Sequence, residues 1–231
     1  MIIYEKTKVR LYEKFIRDVV NEIVGKIDFD KLENQNITFL EKIKTRLCFD
    51  NKNGWRFLTS CLDTIGDSQF AIITFLNHKI ENGKQLNTAE SYLRIYGVLS
   101  AVYIQQQAIL KLSDLFKTGK LNLLKNEFGS LEISFLRHCI SAHPINYDNS
   151  GEKVSFKIDR NSINDNGILS IRDQENNSKE YNIYSSLNNY SKKIENQLEI
   201  ISLKLINSSY KTSESKVIEL KNKLGEIKNY R

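Results

Sequence analysis

At 231 residues the chain is long enough to bury a real core, as one domain with appendages or as two small ones. Its 40% hydrophobic and 27% charged residues are those of a globular protein and exclude a disordered chain, and no apolar run approaches the ~20 residues of a membrane helix. A net charge of +6, with a pI near 9.0, is compatible with nucleic acid without demanding it.

The N-terminus, MIIYEKTKVRLYEKF, is charged throughout its first turns, so a signal peptide is not expected and the expected location is cytoplasmic. Over residues 9–27, Val9, Tyr12, Ile16, Val19, Val20, Ile23, Val24 and Ile27 recur at helical spacing and predict an amphipathic first helix. Phe39, Leu40, Ile43 and Leu47 predict a second, short one, closed by the turn signal Asn51-Lys52-Asn53-Gly54. A long apolar pattern over 55–80 predicts a third. Asn87 with Glu90 forms a capping box for a fourth, running over 88–116. Gln105, Gln106 and Gln107 interrupt that fourth helix, and at least one must face inward. A buried amide there is either a satisfied core hydrogen bond or a polar lining beside a functional site.

Further on, Val154, Phe156 and Ile158 alternate with polar residues, as do Leu169 and Ile171 after a turn signal at 164–167, which predicts a β-hairpin. Ser, Asn and Lys then predict a flexible link to about Lys179. Leu187, Tyr190, Ile194, Leu198, Ile201 and Leu205, and then Val217, Leu220, Leu224 and Ile227, step by three and four. They predict two closing helices that pack within the chain or on an oligomer partner. Lysines here, among them Lys204, Lys211 and Lys216, alternate with Glu as on a solvated helix face. The expected organisation is a helical bundle over 1–147, hairpin and link over 148–179, and C-terminal helices over 180–231.

Chemistry concentrates in residues 131–144, LEISFLRHCISAHP. Leu131, Phe135, Leu136 and Ile140 form an apolar helical stripe, Ser130 can cap its start, and Pro144 stops it after His143. Arg137 and His143 would then lie about 9 Å apart along the axis and about 120° apart around it, flanking a groove. Arginine offers a permanent planar cation that matches phosphate oxygens, and histidine can take or give a proton near neutrality. The alternative is structural: Arg137 pairs with a surface carboxylate and His143 ends a helix, where the dipole favours its charge. No metal site is expected, because His138, Cys139 and His143 diverge around a helix. Cys48, Cys61 and Cys139, with no CxxC spacing, are expected as small buried hydrophobes.

The stretch RHCISAH resembles the signature of the HEPN superfamily: Arg, a polar residue that is often Asn, Asp or His, then four to six residues and a His. The blocks GDSQFAI, YGVLSAVYIQQQAILKL and the HP that follows the signature also look like bacterial HEPN-type proteins, so the resemblance covers roughly 55–147. It implies a HEPN-like antiparallel helical bundle with a small β-hairpin insertion and a C-terminal helical hairpin. It further implies a metal-independent endoribonuclease without a cofactor, in which Arg137 and His143 are catalytic and His138 supports them or contacts substrate. RNA, a second copy forming a homodimer with facing motifs, and an antitoxin or defence-system protein are the implied partners. Some superfamily members are inactive modules that bind RNA, a nucleotide or a protein.

Overall fold

A computed structural model of the chain describes residues 6–28, 37–81, 88–142, 144–149, 151–163 and 167–230. It is a mainly helical bundle carrying two small antiparallel β elements. In chain order the helices are α1 (Lys8–Gly25), α2 (Phe39–Arg46), α3 (Gly54–Glu81), α4 (Thr88–Phe116), α5 (Leu121–Gly129) and α6 (Glu132–Arg137). A π-helical turn (His138–Ala142) extends α6. Strands β1 (Tyr147–Asn149), β2 (Glu152–Val154), β3 (Phe156–Ile158), β4 (Ile168–Asp173) and β5 (Ser178–Asn182) follow, then α7 (Ile183–Ser209) and α8 (Glu214–Asn229). Among the described residues no helix is long and apolar enough to cross a membrane.

Two compact units are built from interleaved stretches of chain. The first gathers Ser68–Gln106 and Lys125–Lys192. Its centre is a buried polar network: Gln105, fully buried, donates to Gln69 Oε1 (3.1 Å) and accepts from the Tyr190 hydroxyl (2.9 Å), which also reaches Val102 O (3.1 Å). Gln106 is also buried, whereas Gln107 is exposed, so two of the three glutamines face inward. Each makes a core hydrogen bond, as a buried amide requires.

On the same unit β1 and β2 pair with Tyr147 opposite Val154, and β3-β4-β5 form a three-stranded sheet with Ile158 opposite Ile171 and Leu169 opposite Tyr181. The hairpin expected from Phe156, Ile158, Leu169 and Ile171 is thus β3 with β4, while the link expected up to Lys179 is instead a turn and the strand β5. The Asp173 carboxylate organises that turn by accepting from the backbone N–H groups of Glu175 and Asn177 (both 2.9 Å), and Asn176 adopts φ +65°. Gly167, at φ +72°, has no room for a side chain: an added Cβ would sit 2.3 Å from the Tyr184 ring.

The second unit gathers Ile3–Asp67, Gln107–Leu124 and Lys193–Arg231. Tyr12, Ile16, Ile43, Leu58, Leu62, Ile65 and Leu112 are almost wholly buried in it. The six apolar positions predicted along α7 are fully buried, across the two units, so that seam is used within the chain. The short α2 starts with a capping box, in which Thr38 Oγ1 accepts from Glu41 N–H while the Thr38 N–H donates to the Glu41 carboxylate (2.9 Å). Asn87, the expected cap of α4, lies outside the described residues. Of the cysteines expected to be buried, Cys61 and Cys139 are, but Cys48 is exposed, because it follows α2 in the left-handed conformation (φ +57°) at a helix exit.

Glu22 links α1 to α8, accepting from Lys26 (2.7 Å) and pairing with Lys216 (2.9 Å). Those cations, Lys26 first, pull its carboxyl from 4.5 down to about 2. A depressed acid stabilises the fold above its unfolded pKa and loses that contribution as pH falls through the folded one. Stability should therefore drop between about pH 4.5 and 2, by about 1 kcal/mol from this group after solvent screening. Urea unfolding across that range should show the drop flattened in Glu22→Gln; an unchanged profile would contradict the assignment.

Candidate functional site

The segment that holds Arg137 is anchored before its chemistry begins. Ser130 does not cap α6 as expected; its hydroxyl turns back to donate to Glu127 O (2.9 Å), and Leu131 occupies the cap position with no side-chain bond. Anchoring comes from Ser134 instead, which donates to Phe128 O (2.7 Å) and accepts from Gln106 Nε2 (2.9 Å). Ile133 and Leu136, both fully buried, fix the same turn. Phe135 packs edge-on against Tyr147 and Phe156 and tilted against Tyr181, which attaches both β elements to the helix.

Arg137 emerges half-buried at the end of α6, and its guanidinium carbon lies 3.8 Å from the centre of the Tyr103 ring. Stacking engages one face of the guanidinium and leaves its in-plane N–H donors free to meet an oxyanion. Among the described residues no carboxylate lies within ion-pair reach, so the surface pairing weighed from the sequence is not what holds this cation. His138 is half-buried, its ring 6.3 Å from that of Tyr147. It leans towards the strands.

The chain does not continue as an ideal α-helix past Arg137. Residues 138–142 make π-type i→i+5 turns, with Cys139 and Ile140 buried and the Ser141 hydroxyl donating to Arg137 O (3.0 Å). The separation of about 9 Å and 120° expected from regular geometry therefore does not carry through this turn. His143 itself lies outside the described residues. Next to it, Pro144 O accepts from Phe156 N–H (2.6 Å), which ties the end of the turn to β3. Burial pushes the Cys139 thiol up to about 12, so it is an inert filler rather than a nucleophile or ligand. Among the described residues no three His, Cys, Asp or Glu side chains are placed to hold a metal ion.

Tyr103 was not apparent as a site residue from the sequence, although a signal was present. No charged residue lies between Arg94 and Lys111, so α4 is apolar around its whole circumference there, as a fully buried helix would be. Yet Leu93 (73% exposed), Tyr96, Tyr103 and Ile104 (45%) remain open to solvent, with Gly97 and Ser100 between them. They form an uncovered strip at helical spacing, and Arg137 lies on its edge through Tyr103. Comparison with protein-family models, with curated proteins and with solved structures finds no match to the chain.

Proposed function

We propose that the protein is a HEPN-type, metal-independent endoribonuclease that acts as a toxin or antiphage-defence effector. The observation that carries this reading is the uncompensated Arg137 guanidinium, held by Tyr103 on a rigidly anchored helix inside the RHCISAH motif. A π turn directly after it fits, since such turns recur at functional sites. RNA supplies its own nucleophile. His143 assists removal of the ribose 2′-hydroxyl proton or protonates the leaving 5′-oxygen, Arg137 stabilises the charge that builds on the phosphorane-like transition state, and His138 orients the substrate.

One histidine per chain supplies one proton-transfer group where an acid and a base are both wanted. A homodimer resolves this, and the exposed strip of α4 is the surface we assign to it: an uncharged apolar helix face, with small residues that let a second helix approach. Arg137 at the edge of that strip would face its symmetry mate across the two-fold axis. An antitoxin covering the same site would hold the activity in check.

Purified protein incubated with total RNA and tRNA in chelator tests the proposal through the fragment ends. Products bearing 2′,3′-cyclic phosphates are expected, because the attacking oxygen stays on the same ribose. Intact RNA from folded protein free of a co-purified inhibitor would replace this reading with a non-catalytic module that binds RNA, a nucleotide or a protein.

A further inference from the structure

A cavity of about 280 Å³ opens on the second compact unit, far in sequence from the motif. Leu47 and Phe116, both buried, form its apolar wall, while Cys48, Lys117, Lys204 and Lys211 bring exposed polar side chains to it. Lys117 is engaged by Asp50 (2.5 Å), in a pair exposed enough to exchange easily. Lys204 and Lys211 make no ion pair among the described residues. Two like charges are thus held at one concave surface without a counter-charge.

The backbone around the cavity adds a second indication. Cys48 (φ +57°) and Lys117 (φ +52°) each follow a helix in the left-handed conformation, where glycine is the favoured occupant, and both line this cavity. Side chains are carried there against a conformational cost. Helix carbonyl ends near an anion would repel it, but here Lys44 O, Ser113 O and Ile206 O accept from Phe49, Thr118 and Tyr210 N–H groups. The lysine charges are left to set the field.

We propose that this cavity binds a phosphate ester, its phosphate held by Lys204 and Lys211 and its apolar portion against Leu47 and Phe116. The volume suits a nucleoside monophosphate or one nucleotide of an oligonucleotide backbone. The site is separate from the proposed ribonuclease centre and stands whether or not that centre cleaves RNA.

Cys48 supplies the assay, because Cys61 and Cys139 are buried and only it is open to a reagent. The rate of Cys48 alkylation by iodoacetamide would be followed by mass spectrometry with adenosine monophosphate, with an oligodeoxyadenylate that cannot be cut for want of a 2′-hydroxyl, and with adenosine. Either phosphate probe should slow labelling saturably while adenosine does not. Protection by the monophosphate identifies a free ester as ligand; protection by the oligonucleotide alone identifies a nucleic-acid backbone. In Lys204→Gln/Lys211→Gln the protecting concentration should rise roughly tenfold. No protection by either phosphate probe, equal protection by adenosine, or protection unchanged in the double variant would overturn the proposal.

Discussion

Arg137→Ala should lower RNA cleavage by about 100-fold or more, the loss typical of removing one donor aimed at charge that builds in a transition state. The same substitution should barely move thermal unfolding, because the side chain is half-buried and its described side-chain partner is the face of Tyr103. Arg137→Lys keeps the charge but loses the planar fork and the stacked face, so it should rescue little. Tyr103→Phe should stay near wild type, whereas Tyr103→Leu should cost activity by letting the guanidinium wander while keeping an apolar side chain. Ile104→Glu, which puts a charge on the exposed strip without touching the reacting groups, should give a monomer in sedimentation and lose activity with it. An Arg137→Ala enzyme as active as wild type would remove the site. A fully active Ile104→Glu monomer would remove the shared-site part alone.

The second large effect lies in the core. Gln105→Leu should destabilise the protein by about 1–3 kcal/mol, because it strands Gln69 Oε1 without its donor in an environment that excludes water. Tyr190 keeps a partner in Val102 O, so its hydroxyl is not orphaned. Changing both amides together, as Gln69→Leu/Gln105→Leu, should recover much of that loss, since two buried apolar groups of similar shape replace a satisfied pair. Denaturant unfolding of the four proteins measures the coupling directly. Single losses that simply add would show that the two side chains act independently.

Repetition made the helices legible. Leu187, Tyr190, Ile194, Leu198, Ile201 and Leu205 mark a helical period, and all six are buried, because an apolar stripe of that width has to be covered. Helix α5 escaped for the opposite reason: of its short apolar set only Leu124 and Phe128 are buried while Leu123 is open, too few repeats to set a phase. Strand β5 was hidden by polar composition, since Ser178, Lys179 and Glu180 face solvent and only Tyr181 is buried; cross-strand pairing with β4 decides it. At the site, residue type marked Arg137, but its support comes from Tyr103, thirty-four residues earlier by the numbering, and no local pattern can report a contact across that distance. The Ser130 cap failed because a hydroxyl at a helix junction can serve either neighbour, and here it closed the preceding helix.

The π turn at 138–142 also bears on how this segment tolerates change in length. A π turn is equivalent to an α-helix with one residue added, so removing one residue there would return regular helical hydrogen bonding and swing everything downstream by about 100°. The helix end can therefore absorb or release a residue without unravelling, while the tie from Pro144 O to Phe156 marks where that slack has to stop. For this segment, insertions and deletions of one residue should be less harmful to folding than to the direction in which the chain leaves Arg137.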